Sequence, residues 1–345
     1  MNNERIEKLL ENLPKGSAVY LTDSEDMLYY AAFSGEGAVV VSEDSRLVIT
    51  DGRYTEAAEK QCDGFEVLEI LGLYDILKSL NVDFCVQEEN ISHSAFLKLN
   101  EKVGNIKESK INFDDLRSVK DESEIECLRK AAQIAEEVFC ETLCFIKEGK
   151  TERETAAFID HQLKLKGAEG PSFDTICVSG ANTSLPHGVP TDKKFEKGDF
   201  ITMDFGCKVN GYCSDMTRTV ALGFVTDEMS KVYDAVLKAQ LAASGKVKSG
   251  ASCKELDAIA RNIIDQAGYG KYFTHSLGHG VGLKIHEQPN LSPKSEKILQ
   301  VGNVVTVEPG IYIPGKFGVR IENTMIVKEK SGENLQKSSK DLIIL

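Results

Sequence analysis

Gly198-Asp199-Phe200-Ile201-Thr202-Met203-Asp204-Phe205-Gly206 reads as a buried strand, Asn210-Gly211 as a tight hairpin turn, and Tyr212-Cys213-Ser214-Asp215-Met216-Thr217 as the returning strand. If the turn centres on Asn210-Gly211, residue 204 faces 217 and residue 206 faces 215, which sets the two aspartates about one diagonal apart across the ladder. An unpaired carboxylate among such apolar neighbours is costly, so two of them call for a compensating charge.

The same pattern recurs toward the C-terminus. Val304-Val305-Thr306-Val307-Glu308 runs into Pro309-Gly310, and Gly318-Val319-Arg320-Ile321-Glu322 reads as a strand beyond Pro314-Gly315. Four carboxylates converging in one core raise one another's pKa by repulsion unless multivalent cations neutralise them. An imidazole comes from His275-Ser276-Leu277-Gly278-His279-Gly280-Val281-Gly282-Leu283-Lys284-Ile285-His286, where the glycines beside His279 allow the backbone to approach a crowded site. Hard oxygen ligands with one imidazole suit Mn²⁺, Co²⁺, Zn²⁺ or Fe²⁺. Taken singly, each acid is a solvated strand residue or an ion-pair partner. Taken together in this order, Asp204, Asp215, His279, Glu308 and Glu322 read as the ligands of a two-metal hydrolase.

Of the six histidines, His187, His275, His279 and His286 lie in glycine- or proline-bearing segments, whereas His93 and His161 lie in helical patterns and read as ordinary residues. Arg320 stands two residues before Glu322, on the same strand face, where it can orient a ligand carboxylate by a salt bridge or touch substrate. Its bland reading is an ordinary strand cation.

A chain of 345 residues exceeds what one core organises and predicts two domains. From Met1 to about Asn112, strands at 18–21, 38–41, 47–50, 66–68 and 84–86 alternate with helices near 24–32, 53–62, 73–80 and 93–102, an α/β pattern with no glycine-rich phosphate loop. Long helices near 121–145, 152–166, 226–247 and 253–267 frame a strand-rich second half, an α+β pattern. The boundary is placed ahead of the helix that begins near Asp121, giving domains of residues 1–115 and 116–345.

A net charge of −13 argues against nucleic acid and anionic membranes as partners. The N-terminus lacks the apolar core of a signal peptide, and no later run approaches about 18 apolar residues, so a cytoplasmic location is expected. Nine cysteines with no CxxC pair fit reduced thiols, and Cys207 and Cys213, flanking the Asn-Gly turn, read as strand residues rather than a thiolate metal site.

These residues resemble the pita-bread metallopeptidases, the family of methionine aminopeptidase, Xaa-Pro aminopeptidase (aminopeptidase P), prolidase and the metal-free creatinase, and the resemblance covers nearly the whole chain. It implies an α/β N-terminal domain of the creatinase/aminopeptidase P type plus an α+β pita-bread catalytic domain. It also implies two divalent cations per subunit, manganese first, with Asp204 on one, His279 and Glu308 on the other, and Asp215 and Glu322 bridging both. Ser184-Leu185-Pro186-His187-Gly188 is similar to the family's substrate-side histidine loop, His286 stands where the second catalytic histidine is expected, and His275 matches proline-specific members. The resemblance assigns these histidines to the substrate and the developing tetrahedral intermediate, and acid–base chemistry makes Glu308 the residue expected to take the proton of the attacking water and deliver it to the leaving nitrogen.

Phe33-Ser34-Gly35 and Thr50-Asp51-Gly52-Arg53-Tyr54 resemble the N-terminal domain of aminopeptidase P, which methionine aminopeptidases lack. On that ground an Xaa-Pro aminopeptidase acting on peptides with proline at the second position is expected, with an Xaa-Pro dipeptidase (prolidase) as the alternative. A homodimer is also implied. A non-catalytic scaffold of the same fold is the rival from another class, and the complete ligand set speaks against it.

Overall fold

The apolar runs of the first third become strands because each is flanked by turn residues and fits a pleated, two-sided core. The computed structural model describes residues 2–87 and 90–345. In chain order the first unit contains α1 (Asn2–Asn12), β1 (Ser17–Leu21), α2 (Ser24–Ala31), β2 (Gly37–Val41), β3 (Arg46–Thr50), α3 (Thr55–Gln61), β4 (Glu66–Glu69), α4 (Leu73–Leu80), β5 (Asp83–Val86), α5 (His93–Lys102) and β6 (Ile106–Glu108). Among the described residues these strands form one mixed sheet in the order β4-β3-β2-β1-β5-β6. The central strand β1 is buried along its whole length, pairing antiparallel with β2 (Val19 opposite Val41) and parallel with β5 (Val19 opposite Cys85). Caps fix two helix starts: Asp23 accepts from the Asp26 amide, and Ser92 from that of Ala95. β6, a three-residue strand with exposed Lys107 and Glu108, is too short and polar to show as an apolar run in the sequence.

The chain consists of two compact units, Met1–Leu116 and Arg117–Leu345. A short helix, α6 (Phe113–Ser118), precedes α7 (Glu122–Phe145), which begins in a reciprocal capping box of Asp121 with Glu124; Thr151 and Glu154 repeat the device at α8 (Glu152–Leu165). The α7 stripe expected from its period is buried, and Ala131, Ile134, Ala135, Val138 and Phe139 share a core with Met203, Phe205, Cys207 and Met216.

Against these helices lie β7 (Gly170–Pro171), β8 (Ile176–Ser179), β9 (Phe200–Phe205), β10 (Cys207–Val209), β11 (Tyr212–Cys213) and β12 (Met216–Ala221), in two antiparallel three-stranded sheets ordered β11-β10-β7 and β12-β9-β8. Then come α9 (Asp227–Ser244), α10 (Cys253–Gln266), β13 (Gly278–Gly280), β14 (Glu287–Leu291), β15 (Val304–Val307), β16 (Gly310–Ile313), β17 (Phe317–Arg320), β18 (Asn323–Val327) and β19 (Gly332–Asn334). The order β14-β13-β15-β18-β19 makes a five-stranded sheet, and β16 pairs with β17. Val236, Ala239, Leu256 and Ala260 of α9 and α10 share its core with Val305, Val307, Val319 and Met325.

One sequence expectation changes. Glu322 is not on a strand: β17 ends at Arg320, and Glu322 sits in the link to β18, where its amide donates to the Thr217 carbonyl at 3.1 Å. That cross-sheet bond replaces a ladder partner. Cys207 and Cys213 are buried, with their Sγ atoms near the carbonyls of Ala131 and Leu283 (3.3 and 3.4 Å), and burial raises the Cys207 thiol to about 11. They serve as small core residues. Among the described residues no helix is long and apolar enough to cross a membrane.

Candidate metal centre

Asn210 and Gly211 both have positive φ, 50° and 80°, the conformation a type I′ turn requires, and the turn fixes the register. Lys208 faces Cys213 and Asp204 faces Thr217, as the turn-centred count predicts. Between β10–β11 and β9–β12 the ladder is pinched. Ser214 donates its amide to the Cys207 carbonyl (2.8 Å) and accepts the Cys207 amide at Oγ (2.9 Å). Opposite lies Gly206, where a Cβ would stand 1.8 Å from the Ser214 carbonyl oxygen.

Only glycine fits there, and the pinch sets the distance between Asp204 and Asp215. In Gly206→Ala the backbone must separate, so we expect divalent-metal affinity to fall by about 10- to 100-fold, together with roughly 1–3 kcal/mol of stability. Calorimetric metal titration measures this, and unchanged affinity would mean that the spacing is set elsewhere.

Asp204, Asp215 and Glu322 each offer an oxygen, and these oxygens lie within 4.8 Å of one another. Burial, and then repulsion from Glu322 and Asp204, holds the Asp215 carboxyl well above the ordinary range; burial and the charges of Glu308 and Asp204 do the same to Glu322. Asp204 is raised by burial against the opposing pull of Arg320. Two of these oxygens, Asp204 Oδ1 and Glu322 Oε1, are buried without a hydrogen-bond partner. Buried acceptors left unpaired inside a cluster of like charges destabilise the protein by several interactions at once. Divalent cations would remove both defects, so the donor set fits such ions.

β13 carries His279 between two glycines packed on neighbouring backbone: a Cβ on Gly280 would lie 2.3 Å from the Gln288 carbonyl oxygen. The His279 Nδ1–H donates to the Gly280 carbonyl at 3.0 Å, which directs Nε2 toward Glu308 Oε1 (3.3 Å) and Asp215 Oδ2 (3.6 Å). Burial disfavours the His279 cation, but Glu308 outweighs it and holds the pKa above the ordinary value. Glu308 follows β15, and the Leu277 carbonyl, just ahead of the neighbouring β13, accepts the Glu308 amide at 2.8 Å.

The five expected ligands line a single cleft of roughly 770 Å³ together with His187, His275, His286 and Arg320. His286 stacks edge-on against His279, with centroids 4.4 Å apart, and its pKa is lowered by burial and by that neighbour. His187 is exposed on the loop after β8. His275 donates from Nδ1 to the Ser276 carbonyl (2.8 Å), leaving Nε2 to accept from the Tyr312 hydroxyl (2.9 Å), and burial keeps it neutral by lowering its pKa. Arg320 donates to Asp204 Oδ2 (2.5 Å), Thr217 Oγ1 (3.1 Å), the Pro186 carbonyl (3.2 Å) and Tyr312 Oη (2.8 Å). Thr217 in turn donates to Glu322 Oε2 at 2.7 Å. Arg320 therefore touches a ligand carboxylate and is not an isolated strand cation.

Tyr312 joins His275 to Arg320 and is absent from the sequence reading. Its only local signal is a tyrosine soon after Pro309-Gly310. His93 and His161 lie exposed on α5 and α8 and are not among the residues that line the cleft.

A family model described as metallopeptidase family M24 matches residues 126–329, and one described as creatinase/prolidase N-terminal domain matches residues 5–119. The Xaa-Pro dipeptidase of Pyrococcus furiosus is 40% identical over 349 residues, covering 99% of each chain. Among solved structures, an Xaa-Pro dipeptidase from Bacillus anthracis is 39% identical with a TM-score of 0.95, covering 100% of this chain and 99% of that one. An X-Pro aminopeptidase from Thermotoga maritima is 38% identical with a TM-score of 0.92, covering 99% of this chain and 100% of that one.

Proposed function

The chain belongs to metallopeptidase family M24 and carries a creatinase/prolidase N-terminal domain, and from that premise we propose that it is an Xaa-Pro dipeptidase. It is a metallopeptidase with a pita-bread catalytic domain. The observation that carries the metal-dependent reading is the cluster of Asp204, Asp215 and Glu322, with its two partnerless buried oxygens. Support for dipeptides over longer peptides comes from full-length relatives named Xaa-Pro dipeptidase, which move prolidase ahead of the aminopeptidase P reading placed first on the N-terminal motifs. Aminopeptidase P stays as the second reading because a neighbour of nearly equal likeness bears that activity in its name.

Asp204, Asp215, His279, Glu308 and Glu322 would hold two divalent cations, of which manganese is our first choice. Bound there, the cations supply Lewis acidity that acidifies a water and polarises the scissile carbonyl. Arg320 holds Asp204 in place and offsets its charge. Glu308 receives the proton of the attacking water on a carboxylate oxygen and passes it to the proline nitrogen, which must be protonated to leave. His286 and His187 line the cleft and donate to the substrate carbonyl oxygen as negative charge builds on it. An Xaa-Pro bond has no N–H, so recognition in this cleft must rest on the carbonyl and the two chain ends.

Metal-stripped protein resupplied in turn with Mn²⁺, Co²⁺ or Zn²⁺ and offered Gly-Pro, Ala-Pro and Ala-Pro-Ala tests the proposal. The expected result is hydrolysis of the two dipeptides with little action on the tripeptide. Efficient release of alanine from the tripeptide would replace the reading with aminopeptidase P, and inertness with every metal would overturn both.

A further inference from the structure

Glu152 is the first residue of α8, directly after its cap Thr151, a place where an acid ordinarily sits in solvent and favours the helix dipole. Here it is fully buried. The capping work belongs to Glu154, and both oxygens of Glu152 turn instead to the segment between β8 and β9. Oε1 accepts from the Ser179 amide (2.7 Å), Ser179 Oγ (3.0 Å) and Asn182 Nδ2 (3.0 Å). Oε2 accepts from Asn182 Nδ2 (3.2 Å), the Thr191 amide (2.9 Å) and Thr191 Oγ1 (2.7 Å). The Lys193 ammonium bonds to Asp199 Oδ2 (2.6 Å) and Ser179 Oγ (3.1 Å) rather than to Glu152, while its backbone amide donates to Thr191 Oγ1 (3.1 Å) and its carbonyl accepts the Glu152 amide (3.1 Å). One carboxylate, accepting at both oxygens, therefore grips the two feet of the loop that runs from 180 to 190.

That loop carries Pro186, His187, Gly188 and Val189 into the cleft. Its own apolar side chains do little to hold it, since Leu185 and Val189 are 57% and 78% exposed. Near the tip it touches the rest of the unit through polar contacts, the Gly318 amide on Thr183 Oγ1 (2.7 Å) and Arg320 on the Pro186 carbonyl. Residues 180–184 rest on β17, where a Cβ on Gly318 would lie 2.2 Å from the Thr183 carbonyl oxygen, so the stretch that carries His187 is placed by this contact and by the hydrogen bonds at the two feet.

We propose that Glu152 is a positioning residue that fixes this loop and, through it, sets His187 against the substrate. The inference rests on the reading above in which His187 contacts substrate. In Glu152→Gln the side-chain shape is kept, but the amide NH₂ now faces donors at one foot, so one end of the loop is released.

The test is a double-mutant cycle on the metal-loaded protein with Ala-Pro as substrate, accompanied by amide hydrogen exchange and metal titration. E152Q is expected to lower kcat/KM by about 10- to 100-fold, because displacements near 1 Å are enough for losses of that size. Exchange should quicken within 180–190, metal affinity should stay unchanged, and T191V, which loosens the same end, should shift both readouts in the same direction. In a H187A background E152Q should add little further loss. A full, multiplicative E152Q loss in that background overturns the proposal, as does unchanged exchange in the loop or a fall in metal affinity that accounts for the lost activity. If H187A alone leaves turnover intact, the assignment of His187 fails separately, and the exchange data decide whether Glu152 holds the loop.

Discussion

If Asp215 serves both cations as proposed, Asp215→Asn is expected to lower kcat/KM by roughly 10³-fold or more, since losing that charged donor forfeits several kcal/mol of charge stabilisation in the reacting complex. The same change should make the metal-free protein more stable, by about 1–2 kcal/mol, the usual gain when a strained functional group is made structurally ordinary. Both outcomes follow from one fact. The Asp215 carboxyl is buried and faces Glu322 and Asp204, while Thr324 Oγ1 and Gln336 Nε2 donate to the backbone carbonyl of Asp215, both at 2.8 Å, and hold the residue in place. An amide fills the same space without the repulsion. Denaturant melts in chelator, paired with kinetics in metal, measure the two effects, and a loss of metal-free stability in the Asn variant would contradict the account.

Metal removal should destabilise the protein in a pH-dependent way, and the sign follows from the raised carboxyls of Asp215 and Glu322. Below the ordinary carboxylate range both the folded and unfolded chains hold these protons, and neither group affects the balance. As pH rises, the unfolded chain releases its protons first while the folded chain retains them, so stability declines until the raised values are passed. Glu308 acts oppositely. Burial resists its ionisation, but the hydrogen bond and charge of His279 prevail and hold it down at about 2, so its contribution is lost only in stronger acid. In chelator the melting temperature should therefore drop between about pH 4 and neutrality. Added Mn²⁺ should restore it, by about 10 °C at a thousandfold excess over Kd, with a larger gain at pH 7 than at pH 5. A melting temperature in chelator that is flat from pH 5 to 8 would show that these carboxyls do not repel one another as the geometry requires.

Much of this molecule is written locally. The Asn210-Gly211 turn fixes the register that puts Asp204 opposite Thr217, and Asp121 and Thr151 mark the starts of α7 and α8 by their capping boxes. The apolar runs and helical stripes gave the other long elements for the same reason: a period of two or of 3.6, and a turn residue's φ, are properties of a few neighbouring residues. The acid-bearing segments were legible as well, because a carboxylate among strand apolars is conspicuous on physical grounds alone. The preference between dipeptide and longer substrates was not legible, since the far end of a substrate meets side chains that no local pattern marks.

What the tertiary structure alone decided are the partnerships over long sequence distance. Thr217 reaches Glu322 across 105 positions, and Arg320 reaches Asp204 across 116. Tyr312 gains its place between His275 and Arg320 only when β16 folds onto β17, and Glu287, one residue past His286, gains Lys120 at 2.8 Å in a fully buried ion pair. Glu152 looks in sequence like a solvated first-turn acid, and its burial under the His187 loop appears only once α8 meets β8. A local pattern specifies which way a side chain points from its own element. Which groups then share a low-dielectric space, and so which charges must be paired, depends on how separate sheets and helices pack.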